Sequence, residues 1–435
     1  MENLVRFSFW KQILLALLFY VVCSSIGILL SADGIGKLAV QEGKEFQYWD
    51  AIHYVNLGFN PSCQAFYPLW SQINRLFAPE NPVIGLRYAF IFCNILFVLS
   101  LPIVLYVLRK VIKSESLSFI TLILYVVNPN SIFHSIGYTE SLFSLWAIIS
   151  VVALLFSTSV FWNCILAVSV ILMSVSRPSL VQLLFASFSA IFCVYLGSHL
   201  KSESDSKTRE WKKYTIPTGL IAICAIVGYS IYGIYCLLST GNFLTPFKAQ
   251  VEWGRTLQFR PLFLLFPRSL LNDLHGLYFP FILFFLVVVL IYYHAKRKKI
   301  SLYVPKHPLL WITLFYPPIA ILIYSIRSWL LAKAGKLTPQ SVTPTIAQLQ
   351  TNYVFFFCLF ICIANAAIGF LAASGYLYSL ARFVFATPFF FIAFGMVIDH
   401  LDSPKTREFL YGCILVSALG LIEQWYRWGN NRWVG

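Results

Sequence analysis

The opening "MENLVRFSFWKQILLALLFYVVCSSIGILL", residues 1–30, decides the fold class. Beyond Lys11 no charge interrupts it, and an apolar run of about 20 residues matches a helix crossing a hydrocarbon layer about 30 Å thick. The run is longer than the apolar region of a secretory signal and has no small-x-small cleavage site, so it reads as a first membrane helix. Similar runs recur along the chain and predict helices at 11–30, 83–108, 117–127, 139–157, 160–175, 180–198, 214–238, 277–294, 308–331, 350–373, 378–398 and 408–425. They lack the two-residue alternation of a barrel strand. Composition agrees: of 435 residues, 59% are hydrophobic and 11% charged, which excludes a water-soluble domain. The expected fold is all-α, a polytopic membrane helical bundle of about 11–13 transmembrane helices. Residues 1–435 form one membrane-embedded domain in this reading, with interfacial helices in the first external loop.

The formal charge of +15 raises nucleic acid as a partner. The basic residues, however, stand in short clusters between apolar runs, where they set orientation and meet anionic headgroups. Membrane lipids are the expected partner and nucleic acid is not. The ten Cys are scattered, mostly within apolar runs, and read as small core residues. Arg109, Lys110 and Lys113, the loop 201–213 and "KRKK" at 296–299 are expected in the cytoplasm, leaving 31–82, 128–138, 176–179 and 239–275 outside. Two paths fit the last third. Simple alternation puts Lys333 and Lys336 outside and Arg382 inside. If Pro317–Pro318 turns its segment into a hairpin, Arg382 and the C-terminal tail instead join the outer face.

That outer face is where chemistry is sought. In "YWDAIHYVNLGF", residues 48–59, Asp50 stands among aromatics. An ordinary loop aspartate would cap a short helix. A carboxylate at the lipid boundary, flanked by Trp49, Tyr67 and Trp70, is suited to take a proton from a hydroxyl, and His53 shares its helical face. In "NPNSIFHSIGYTESLFSLW", residues 128–146, Glu140 heads a helix, where capping alone accounts for it. Yet Asn128, His134, Tyr138 and Glu140 offer more hydrogen-bonding capacity than a turn needs, a surface suited to sugar hydroxyls. Arg177, Arg255, Arg260 and Arg382 fall on the same face if the second path holds. Singly, each would snorkel to the headgroups. Together they would hold a phosphate, because guanidinium forks match its oxygens. No glycine-rich phosphate loop, histidine pair at metal spacing, nucleophile elbow or DxD-type carboxylate pair is present, so the donor is expected to be lipid-borne rather than a soluble nucleotide sugar.

The stretches "YWDAIHYVNLGF", "AFYPLW", "NPNSIFHSIGYTESLFSLW", "SRPSL", "QVEWGR", "ARFVFATP" and "NNRWVG" together resemble the PIG-V-like family, that of GPI mannosyltransferase 2 and its prokaryotic relatives, in the glycosyltransferase C superfamily. They run in family order from about residue 46 to the end. The chain departs from the family at Tyr48, where arginine is more frequent, and at Phe383, where tyrosine is usual. The resemblance implies transfer of mannose or a related hexose from a polyprenyl-phosphate carrier to a lipid-linked or glycan acceptor on the non-cytoplasmic face, with inversion. It implies Asp50 as the base, since an aspartate of the first external loop serves so in the superfamily. Arg255 and Arg382, then Arg177 and Arg260, would meet the donor phosphate, and Trp49, His53, Tyr67, Asn128, His134, Tyr138 and Glu140 would bind substrate or orient Asp50. No metal and no other cofactor is implied. Short loops fit a prokaryotic plasma membrane better than the endoplasmic reticulum, which would be the membrane in a eukaryote. A transporter or lipid or oligosaccharide flippase is the rival from another class, and an oligosaccharide ligase the rival enzyme.

Overall fold

The computed structural model of the chain describes residues 8–59, 62, 65–77, 81–199, 210–252, 254–262, 271–295, 326, 330, 333–335, 349–373, 377, 379–402 and 404–434. Among these residues it is all helical, with no strand. The elements are α1 (Phe9–Leu30), α2 (Gly34–Leu38), α3 (Asp50–Phe59), α4 (Pro68–Phe77), α5 (Pro82–Val111), α6 (Glu115–Val127), α7 (Glu140–Leu155), α8 (Val160–Ser176) and α9 (Leu180–His199). There follow α10 (Glu210–Lys213), α11 (Thr215–Thr240), α12 (Thr245–Glu252), α13 (Leu271–Ala295), α14 (Tyr353–Leu371), α15 (Leu380–Phe385), α16 (Pro388–His400) and α17 (Pro404–Gly429). Seven described helices are long and apolar enough to cross a membrane, and α6, α7, α8 and α16 are shorter apolar helices. The chain is thus a polytopic helical membrane protein.

Local chemistry explains the boundaries. Asn81 caps α5 by accepting the Val83 amide, with Pro82 at the first helical position. Asn128 is extended before Pro129, and α6 stops at Val127. The expected single helix 378–398 is two elements. Thr387 is extended and Pro388, which has no amide hydrogen to donate, begins α16 afresh. The expected helix 308–331, apart from Ile326 and Leu330, lies outside the described residues, as do Pro317–Pro318 and the run 296–299.

Large apolar side chains face outward on the long helices, among them Leu14, Leu18 and Leu29 of α1, Ile91 and Leu99 of α5 and Phe188 and Phe192 of α9. Such a surface suits lipid. Inside, Ser100, Thr121, Ser150 and Ser169 donate their hydroxyls to carbonyls three or four residues back, so no buried hydroxyl is left idle at those positions.

The two ends of the bundle differ. At one end Arg109 bonds Gln12 at 3.0 Å, and Asp399 accepts the Lys113 and Ser114 amides. At the other, α3 and α4 pack on the bundle and the C-terminal tail returns against α2 and Trp49. Asn430 accepts the Ala32 amide, buried Lys37 donates to the Trp428 carbonyl at 2.7 Å, and Trp433 meets Trp49 edge to face. Arg382 lies at this second end beside Asp50, as the second of the two paths requires. Cysteines replacing exposed Lys44 and Arg432 should therefore react with an impermeant maleimide from one side of a sealed vesicle, and a cysteine replacing Lys110 from the other. Labelling of the Arg432 and Lys110 positions from the same side would contradict this arrangement.

Candidate active site

Five charged side chains meet where helices begin or end. Asp50 is the first residue of α3, entered through Trp49 in the left-handed region at φ 52°. Glu140 is the first residue of α7, Arg177 follows the last turn of α8, and Arg382 sits on the short α15. Arg255 lies just beyond α12.

Four of these groups form a chain of alternating charge. Arg382 Nη1 lies 2.7 Å from Asp50 Oδ2, while its Nε donates to Glu140 Oε1. The same Glu140 oxygen receives Arg177 Nη1 at 3.1 Å. Glu140, Arg177 and Arg382 are buried, whereas the Asp50 side chain is 19% exposed. Of the four ion-paired groups, Asp50 is the one whose side chain is partly open. Among the described residues its second oxygen, Oδ1, accepts no hydrogen bond. Glu140 Oε2 is buried without a partner among them.

Aromatic rings frame the chain. The Arg382 guanidinium lies 4.5 Å from the Tyr138 ring and 4.9 Å from Phe133. The Tyr138 hydroxyl accepts the Asp50 amide at 3.2 Å, fixing the backbone that presents the carboxylate. Gly137, at φ 82°, supplies the turn into Tyr138, and Trp70 Nε1 holds its carbonyl at 2.9 Å. Phe383 stands among three guanidiniums: Arg177 at 4.8 Å, Arg255 at 5.7 Å and Arg382 at 5.8 Å from its ring centroid.

Burial pulls the Arg382 guanidinium toward deprotonation, and the Glu140 and Asp50 carboxylates more than reverse it, so Arg382 stays charged. Burial lowers Arg177, against the upward pull of Glu140. Burial, with Asp50 nearby, raises Tyr138 well above its usual range, keeping the phenol protonated. Arg255 differs from the other two arginines. It is exposed, and among the described residues no carboxylate lies within ion-pair range of it. Two carboxylates against three guanidiniums leave the cluster one positive charge in excess, with Arg255 the arginine that forms no ion pair among the described residues.

The other expected residues lie as follows. Asn128 caps the turn Pro129–His134, accepting the Asn130 amide and donating to the Tyr125 carbonyl and Ser131 hydroxyl. His134 turns into the core, stacked on Phe97 at 4.5 Å, and burial lowers it to about 3, so its ring is neutral. Tyr67 is buried against Tyr232. His53 is exposed and stacked on Phe66, Trp49 is half-buried beside Trp433, and Arg260 bonds Gln258. The structure thus gathers Asp50, Tyr138, Glu140, Arg177, Arg255 and Arg382, and does not bring Asn128, His134, Tyr67 or Arg260 into their ion pairs. Sequence reasoning overlooked Asp273, whose carboxylate accepts the Ala381 amide beneath Arg382. An acidic residue heading an apolar run was the available signal, the same one that marked Glu140. Among the described residues no group of His, Cys, Asp and Glu is arranged to hold a metal ion.

A family model described as Mannosyltransferase (PIG-V) matches residues 18–253. GPI mannosyltransferase 2 of Schizosaccharomyces pombe is 33% identical over 105 residues, a stretch covering 23% of this chain and 23% of that relative. No solved structure matches the chain. Because the family model covers more than half of its residues, including Asp50, Tyr138, Glu140 and Arg177, the chain belongs to the PIG-V mannosyltransferase family.

Proposed function

We propose that the chain is an inverting glycosyltransferase that moves mannose, or a related hexose, from a polyprenyl-phosphate carrier to a hydroxyl of a lipid-linked or glycan acceptor. The observation that carries this reading is the asymmetry of Asp50, one oxygen held by Arg382 and the other open, in a site whose excess positive charge is at exposed Arg255. The acceptor hydroxyl docks at Oδ1. As its oxygen attacks C1 of the sugar, Asp50 takes the proton and the bond from C1 to the phosphate oxygen breaks with its electron pair. The polyprenyl phosphate leaves as a monoester carrying the accumulated charge, which Arg255 meets directly. Arg177 and Arg382, engaged with Glu140 and Asp50, act on the same charge through the field they share around Phe383.

Charge supports a sidedness for this reading. Arg109, Lys110 and Lys113 lie at the end remote from Asp50, and basic loops favour the cytoplasm, so the site faces the external or lumenal side. The membrane is the plasma membrane of a prokaryote or the endoplasmic reticulum of a eukaryote.

Purified protein given polyprenyl-phosphate mannose and a lipid-linked acceptor should transfer mannose with inverted configuration. Asp50→Asn, close in shape but unable to take the proton, should lower kcat by at least about a hundredfold; an unchanged rate would remove Asp50 as base. Arg255→Gln should lower kcat/KM for the donor by about ten- to a hundredfold, the loss of one charge-assisted bond to phosphate. If Arg255→Gln transfers as well as the parent, the phosphate is bound elsewhere.

A further inference from the structure

Arg382 holds Asp50 and Glu140 from a helix of only six residues, too short to be stable alone. Its backbone is tied down by polar side chains from three other helices. Asp273, at the head of α13, accepts the Ala381 amide at 2.9 Å; Asn365 of α14 donates to the Phe383 carbonyl at 3.1 Å; Ser144 of α7 donates to the Ala386 carbonyl at 2.8 Å. Ser379, which leads into α15, is in the left-handed region and offers no capping bond of its own. Asp273 does what that cap would have done.

Two further contacts make the head of α13 the anchor. Asn272 and Asn130 exchange amide hydrogen bonds at 3.0 and 3.1 Å, so the residue beside Asp273 fixes the turn whose Phe133 ring lies against the Arg382 guanidinium. One turn on, Gly276 meets α15 so closely that a Cβ there would lie 2.5 Å from the Ala381 Cα. Asp273 is itself buried, and among the described residues it forms no ion pair. We propose that Asp273 is a positioning residue for the transfer reaction: by capping α15 from outside, it sets the Arg382 guanidinium between Asp50 and Glu140. This inference rests on the reading of Asp50 as base.

The effect should appear in the chemical step, because Arg382 orients the base and not the bound donor. Asp273→Ala should lower kcat at least about tenfold, with KM for polyprenyl-phosphate mannose within about twofold of the parent, since small misplacements of a catalytic group are costly. Asp273→Asn keeps an oxygen that accepts the Ala381 amide and should restore most of kcat. Gly276→Ala, which displaces α15 while leaving the cap in place, should share the kcat defect. A parental kcat in Asp273→Ala, a loss confined to KM, or an Asp273→Asn variant as slow as Asp273→Ala would each overturn the proposal. A readout independent of activity separates it from the transfer reading. In detergent, the melting-temperature loss of Asp273→Ala combined with Arg382→Leu should be smaller than the sum of the two single losses, and additive losses would refute the positioning role. A wild-type protein that transfers no mannose while the melting losses remain non-additive would refute the transfer reading alone.

Discussion

Everything at the loop-rich end of this bundle depends on four charges stacked in sequence: Asp50, Arg382, Glu140 and Arg177. Three of them are buried, where solvent cannot compensate a missing partner, and breaking a buried pair typically costs about 3–5 kcal/mol. Removing any one partner would therefore strand a buried charge. Glu140 brings both arginines onto a single oxygen, which leaves Arg382 one edge with which to hold Asp50. That constraint turns a loop aspartate into a carboxylate of fixed direction, with one oxygen engaged and one presented.

The helices serve this arrangement through their ends. Asp50 and Glu140 begin helices, Arg177 follows one, and Arg382 occupies a fragment produced by the break at Pro388. Aromatic rings take the place of water around the cations: Tyr138 and Phe133 beside Arg382, and Phe383 among all three arginines. A ring face partly offsets the desolvation of a guanidinium while giving it no competing hydrogen-bond acceptor. Arg255 has such a ring contact and feels the Asp50 charge, but among the described residues it forms no ion pair, and in the proposed reading it is the cation left for an incoming anion.

Much of the architecture was legible in the chain. Apolar runs marked the membrane helices because lipid imposes both length and composition, and Asn128–Pro129 and "SRPS" marked real boundaries because proline acts through local sterics. The membership of the site was partly legible. Asp50, Tyr138, Glu140, Arg177, Arg255 and Arg382 are conspicuous as charge or hydrogen-bonding capacity in apolar surroundings. Their pairing was not: Arg382 and Asp50 are 332 residues apart, and no local rule links them. Nor was the inward turn of Asn128 and His134. A polar side chain near a turn looks the same in sequence whether it serves a ligand or satisfies the backbone, and here capping and ring stacking engage both. For Asp273 the sequence offers only an acidic residue heading an apolar run; its partner is a backbone amide, which no residue type marks.

Family membership places this geometry among mannosyltransferases, and in the proposed reading the geometry gives its three arginines different parts. The most direct test of that division is an experimentally determined density map of the protein in lipid nanodiscs with a polyprenyl phosphate bound. Phosphate oxygens should lie within hydrogen-bonding distance of the Arg255 guanidinium, with the pairs from Arg382 to Asp50 and Glu140 intact and Asp50 Oδ1 facing the space beside the phosphate. A phosphate seated on Arg382, with Asp50 displaced from it, would remove both Arg255 as the phosphate-binding cation and Arg382 as the group that orients Asp50.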